Sequence, residues 1–240
     1  MAKWIKNEFW NGYSVFEKIF MLAMVLLQVV MYCITPDTII GMVCGIAGVI
    51  CVVLTAKGKI SSYLFNFIQM ITYMIICWDA KLFLEFGEQV FYFVACIFGV
   101  FLCKKNMATN DDGTEQVLAK KFKPWHWVVT IIVTVVTTVL LGTFGNTILG
   151  STLPYLDAFT VALAVIAQLL MVWRYREQWA IWIVINISSL VMFVMLQQWS
   201  MVAMYIAWTV NAIYGWVNWS KLNKIQSVAK EVAGEIVNEL

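Results

Sequence analysis

The chain has 240 residues, of which 62% are hydrophobic and only 12% are charged, with a formal net charge of +2 and a mean hydropathy of +0.82. A soluble domain carries roughly twice that share of charge, so lipid must act as solvent and water-soluble fold classes are excluded. The net charge identifies no partner, because the charges are sorted by position, and nucleic acid is not an expected one.

A helix needs about 20 apolar residues to span the hydrocarbon of a bilayer. Eight stretches meet that need, over residues 19–35, 38–56, 60–78, 82–103, 127–149, 156–173, 179–197 and 201–219. Backbone groups in lipid must be satisfied internally, and the strict alternation of barrel strands is missing, so the expected fold is an all-α membrane protein with eight transmembrane helices. The opening segment, MAKWIKNEFWNGYSVFEK, is polar and aromatic and does not read as a cleavable secretion signal. Six cysteines (Cys33, Cys44, Cys51, Cys77, Cys96, Cys103) lie within or beside apolar runs without metal-ligand spacing. They read as small buried apolar residues.

With the N-terminus placed in the cytoplasm, of 16 basic residues only Lys81 falls outside. The positive-inside rule therefore selects this orientation, both termini are cytoplasmic, and the span count is even. Trp and Tyr near the span ends (Trp78, Trp125, Trp127, Tyr155, Trp173, Trp199, Trp219) suit the interface belt.

Residues 104–123, KKNMATNDDGTEQVLAKKFK, form the one clear linker and are expected to be a mobile cytoplasmic loop. Sliding the chain by 116 residues superposes helices 2–4 on helices 6–8 without a gap. Val49 falls on Val165, Leu54 on Leu170, Ile71 on Ile187 and Gly99 on Gly215. The reading is two parallel three-helix repeats joined by one linker helix, with helix 1 a peripheral addition. The corresponding divisions are 1–36 for the N-terminal segment and extra helix, 37–103 for the first repeat, 104–150 for the loop and linker helix, 151–220 for the second repeat and 221–240 for a cytoplasmic tail. In that tail Ile225, Val228, Val232 and Ile236 recur at helical spacing, which predicts a short amphipathic helix. Transporters built from repeats place substrate near the midplane between them.

Polar and aromatic groups inside the spans carry the functional signal. In helix 7, Trp179, Trp182 and Asn186 stand at i, i+3 and i+7 and share one face. Indoles offer flat apolar faces with one donor, and an amide offers donors and acceptors, a set suited to a planar ring bearing a carboxamide or a ribose. Interface anchoring for Trp179 and helix–helix bonding for Asn186 are the alternative readings. Helix 3 has the counterpart: Tyr63 at the position of Trp179 and Asn66 at that of Trp182, with Gln69 and Tyr73 beside them. Gln168 on helix 6, and Asn211 and Tyr214 on helix 8, complete the candidates for substrate binding.

No ionisable residue lies convincingly at mid-depth, whereas proton-coupled carriers and pumps usually bury one there. Phosphate-loop, zinc-protease and nucleophile-elbow motifs are all missing from the sequence. No enzyme, catalytic residue, metal or cofactor is expected, the ligand should be neutral or aromatic, and transport should be passive.

The elements Asp157-Ala158, Ala167-Gln168-Leu169-Leu170-Met171 and Glu177-Gln178-Trp179-x-x-Trp182-x-x-x-Asn186, with Lys59-Ile60-Ser61-Ser62-Tyr63 in the first half, resemble the bacterial nicotinamide riboside transporters of the PnuC family. The resemblance runs from about residue 38 to 219. It implies a fold like that of SWEET sugar transporters and facilitated diffusion of nicotinamide riboside across the bacterial inner membrane. Net uptake would be drawn by a cytoplasmic riboside kinase, and the assembly would be a homotrimer. Trp179, Trp182 and Asn186 would be ligand residues, with Gln168 nearby. Gln178 departs from the Asn frequent in the family. A thiamine or sugar carrier of the same fold, and a membrane receptor or enzyme, are the alternatives.

Overall fold

The computed structural model describes residues 13–34, 38–79, 81, 83–109, 115–149, 153–195, 197 and 199–239. Among them lie eight α-helices and one short hairpin: α1 (Val15–Ile34), α2 (Ile39–Lys57), α3 (Ser62–Asp79), α4 (Phe83–Lys104), β1 (Met107–Thr109), β2 (Glu115–Val117), α5 (Pro124–Phe144), α6 (Pro154–Val172), α7 (Gln178–Met195) and α8 (Trp199–Glu239). A π-helical turn, Gly145–Leu149, extends α5. Each expected span falls on one of these helices. Among the described residues, five segments are long and apolar enough to cross a bilayer: Ile39–Lys57, Phe86–Lys104, Pro124–Thr147, Pro154–Val172 and Gln178–Met195. The protein is therefore a multi-pass, all-helical membrane protein.

The chain divides into two compact units, Met1–Leu118 and Ala119–Leu240. In the first, α2 packs against both α1 and α3, and α3 against α4. Helix α1 starts at Val15, ahead of the expected residue 19, because Ser14 and Glu17 form a capping box. The Glu17 amide donates to Ser14 Oγ at 3.2 Å, and the Ser14 amide donates to Glu17 Oε2 at 2.5 Å. The other carboxylate oxygen, Glu17 Oε1, accepts from Lys57 Nζ at 2.8 Å, and both side chains are only 10% exposed. The Lys57 ammonium also lies 5.0 Å from the centre of the Tyr13 ring. Helix α1 is thus fastened to the end of α2 by a buried ion pair.

In the second unit α6 packs against α5 and α7, and α7 against α8. Its core joins Leu163, Ala167 and Leu170 of α6 to Ile181 and Ile185 of α7 and to Phe122. Helix α5 turns Ile131, Ile132, Val135, Val136 and Leu140 outward, a surface suited to lipid.

Local geometry recurs at the 116-residue offset. Gly58 and Arg174 both have left-handed backbone, with φ of 76° and 64°. Around Gly58 the amides of Gly58 and Lys59 donate to Thr55 and Leu54 at 2.9 and 3.0 Å. Around Arg174 the amides of Arg174 and Tyr175 donate to Met171 and Leu170 at 3.0 and 2.9 Å. The same pairing of Schellman type ends α2 and α6. Lys81 and Gln197, also at this offset, have φ of 59° and 56°, and each amide returns 3.1 Å to the carbonyl three residues back.

Three expectations are corrected. The linker is not a loop without structure: β1 pairs antiparallel with β2, Met107 opposite Val117. The Val117 amide donates to the Gly58 carbonyl at 3.0 Å. Farther on, in the second unit, Lys120 and Arg174–Arg176 exchange bonds (Lys120 N to Arg174 O, 2.8 Å; Arg176 N to Lys120 O, 3.0 Å). Buried Val117, Ala119 and Phe122 anchor this strand, and three apolar side chains scattered among charges leave no periodic signal. The expected mobile stretch around 110–114 lies outside the described residues. Second, the tail is no separate helix but the continuation of α8, because no Gly or Pro interrupts residues 216–233. Gln226 accepts from the Ala119 amide (3.0 Å) and Asn223 donates to its carbonyl (2.7 Å), while Ile225 and Val228 face outward. Third, Cys33 is exposed, unlike the other five cysteines.

Removing one partner of a buried ion pair leaves an uncompensated charge, at a cost of about 3–5 kcal/mol. Lys57→Ala should therefore lower the melting temperature of purified protein clearly, and the double variant Glu17→Leu/Lys57→Met should recover most of the loss. Equal melting temperatures for Lys57→Ala and wild type would show that the pair fastens nothing.

Candidate functional site

In the second unit the corner at Arg174 feeds directly into α7, so Glu177, Gln178 and Trp179 occupy its start. Trp179 is 4% exposed. Its indole lies flat on Gly215 of α8, where an added Cβ would fall 2.5 Å from the ring. The Trp219 ring meets it edge-on, centroids 6.3 Å apart. Trp182 is half-buried and packs on the core formed by Phe122, Leu163, Ala167, Leu170, Ile181 and Ile185. Asn186 is buried two turns farther along. At 3.6 residues per turn the three side chains lie on one face of α7. The two helices that pack against α7 bring further candidates into the unit: buried Gln168 on α6, and buried Asn211 with half-buried Tyr214 on α8.

In the first unit, Tyr63 repeats the packing of Trp179. Its ring lies on Gly99 of α4, where an added Cβ would come within 2.9 Å. Asn66, at the position of Trp182, donates from Nδ2 to Cys96 Sγ at 2.9 Å, so part of its amide serves α3–α4 packing. Gln69 and Tyr73 are half-buried on the same helix, and the Gln69 side chain touches the Gly48 position of α2 (3.4 Å). Tyr63, Asn66, Gln69 and Tyr73 thus sit together on α3, and Trp179, Trp182 and Asn186 sit together on α7.

Several hydroxyls inside the spans are satisfied by their own helix. Thr72 donates to Ile68 O (2.8 Å), Thr134 to Thr130 O (2.8 Å) and Thr209 to Tyr205 O (2.7 Å). The start of α7 is different. Glu177 accepts from Arg176 at Oε1 (3.1 Å), but its Oε2 is buried with no hydrogen-bond partner. Both amide atoms of Gln178 and the Trp179 Nε1 are in the same position. Gln178 is 0% exposed. A buried polar group left unbonded costs about 1–3 kcal/mol, so a cluster of four such atoms in one turn marks a place built for something other than stability. In the sequence, Gln178 is noted only as a departure from the Asn frequent in the family. The available signal was spacing, since Gln178, Trp182 and Asn186 stand at i, i+4 and i+8.

The buried charged residues Glu17, Lys57, Lys59, Arg174 and Glu177 all lie at helix ends or corners. The polar groups along the middle of the candidate faces are amides, indoles and phenols.

These features fit a known group of carriers. The family described as Nicotinamide mononucleotide transporter matches residues 38–221. The nicotinamide riboside transporter PnuC of Haemophilus influenzae is 38% identical over 225 residues, covering 93% of this chain and 98% of the relative. PnuC of Neisseria mucosa is 35% identical over 235 residues, covering 93% and 88%. PnuC of Escherichia coli is 26% identical over 197 residues, covering 72% and 82%. A crystal structure of the vitamin B3 transporter PnuC superposes with a TM-score of 0.78 at 33% identity, covering 93% of this chain and 98% of that one.

The close seating of Trp179 on Gly215 is testable without any ligand. Overpacking a tight contact costs typically about 1–3 kcal/mol, so Gly215→Ala should lower the melting temperature, and adding the smaller ring of Trp179→Phe should recover part of it. A Gly215→Ala protein as stable as wild type would contradict the packing described.

Proposed function

The chain belongs to the nicotinamide mononucleotide transporter family, and from that premise we propose that it carries nicotinamide riboside across the bacterial inner membrane by facilitated diffusion. The observation that carries this reading is the α7 face, where buried Trp179 and Asn186 and half-buried Trp182 place two indoles and an amide in one row. The indoles line the pyridine ring and ribose; Asn186, with Gln168, Asn211 and Tyr214 from the neighbouring helices, supplies hydrogen bonds. Within the first unit the corresponding candidates are Tyr63, Asn66, Gln69 and Tyr73, Asn66 while keeping its bond to Cys96.

The family description names the mononucleotide, whereas the relatives are named for the riboside. Physical chemistry favours the riboside here. A phosphate ester brings about −1.5 to −2 charges at pH 7 and demands Arg or Lys partners. Among the described residues the buried basic side chains, Lys57, Lys59 and Arg174, lie at corners and helix ends. The same argument supports net uptake by trapping: a cytoplasmic kinase that phosphorylates the riboside makes a product the site does not hold.

The wider reading is eight spans with both termini in the cytoplasm, two parallel three-helix repeats around a linker helix, and a homotrimer with α1 peripheral. The recurrence of corner geometry at Gly58 and Arg174 and of ring-on-glycine packing at Gly99 and Gly215 supports the repeats. Alternating access then follows from rocking of one repeat against the other.

Titration of purified protein with nicotinamide riboside tests the site. Trp182→Ala and Asn186→Ala should each weaken binding about tenfold or more while the bundle stays folded. Wild-type affinity in both variants would refute the assignment, and stronger binding of thiamine or a sugar would reassign the substrate.

A further inference from the structure

Gln178 is the first residue of α7, four residues before Trp182 and eight before Asn186. On an α-helix these three lie along one stripe, each about 6 Å beyond the last. The stripe therefore continues the candidate site toward the helix end that follows Arg174 and Arg176. At that end the side chain of Gln178 is 0% exposed, and neither its Oε1 nor its Nε2 has a hydrogen-bond partner. Glu177 Oε2 and Trp179 Nε1, on either side of it, are equally buried and unbonded.

The first repeat handles the same position differently. Ser62 stands at the 116-residue offset from Gln178, and its Oγ donates to the Lys59 carbonyl at 2.8 Å. A short hydroxyl is satisfied inside the corner that carries it. A glutamine amide is too long for that bond, and it brings two groups that need partners where one sufficed. The corner backbone is otherwise alike, with the Gln178 amide donating to Tyr175 O and the Ser62 amide to Lys59 O, both at 3.3 Å. The local fold therefore gives no reason for the amide.

We propose that Gln178 is a positioning residue of the release step, an amide sealed and unbonded in this conformation that gains hydrogen bonds when the start of α7 opens. Resting on the transport reading above, the proposal gives this turn a defined task. The unbonded groups raise the free energy of the sealed state alone, so they bias the carrier toward opening at this end. Once opened, the Gln178 amide, the Trp179 N–H and the Glu177 carboxylate face the departing ligand or entering water. Tight packing of Trp179 on Gly215 keeps the seal closed until then.

The test replaces Gln178 with Met, close in size and without polar atoms, and with Asn, which keeps the amide. For Gln178→Met the proposal expects a higher melting temperature, riboside affinity within about twofold of wild type, and uptake into vesicles about tenfold slower. Gln178→Asn should restore most of the rate. A lower melting temperature for Gln178→Met overturns the proposal, because the amide is then bonded in the sealed state. An unchanged uptake rate overturns it as well. Loss of affinity together with loss of rate also overturns it, by making Gln178 a ligand contact of the central site. The stability arm needs no ligand, and the wild-type arm of the uptake assay tests the riboside reading separately.

Discussion

Hydrocarbon offers no hydrogen bonds, so every polar group carried into a membrane span must find its partner within the protein. That constraint makes the fold helical and accounts for the way Thr72, Thr134 and Thr209 turn back onto the carbonyls of their own helices. It also keeps the buried charges of this chain at corners and helix ends, where Lys57 meets Glu17 and Arg176 meets Glu177. Against so strict a rule, the row of amide and indole groups along α7 stands out. Polar contacts between membrane helices contribute only about 0.6 kcal/mol on average, so stability alone gives little reason to collect them there.

The two halves solve the same backbone problem and then diverge in chemistry. Helices α2 and α6 each end in a left-handed residue with the same pair of capping bonds, and α4 and α8 each carry a glycine against an aromatic ring. The side chains between these fixed points differ: Asn66 and Met70 in the first unit stand where the second has Trp182 and Asn186. Met70 is 1% exposed and apolar, whereas Asn186 is buried and polar.

Much of this was legible in the sequence because membrane helices announce themselves by length and apolarity. The positions of the apolar helices could be read from length and composition alone. Boundaries were less legible. The start of α1 depends on a capping box that lies before the apolar run, and the join of α8 to its tail shows only as an absence of Gly and Pro. The linker leaves no sequence signal because its structure comes from three isolated apolar residues, Val117, Ala119 and Phe122, and from backbone bonds to distant corners. For Gln178 the sequence shows the spacing to Trp182 and Asn186, but that its side-chain amide is buried and unbonded emerges only from the packing around it.

The central claim is that an uncharged site of indoles and amides moves a vitamin precursor downhill without coupling to an ion. The most direct measurement is the final level of labelled nicotinamide riboside inside vesicles that contain this protein alone, held at zero membrane potential, with and without a proton gradient. The account predicts that the internal concentration rises to the external one and stops there in both cases. Accumulation above the external level when the gradient is imposed, or no entry at all, would contradict it.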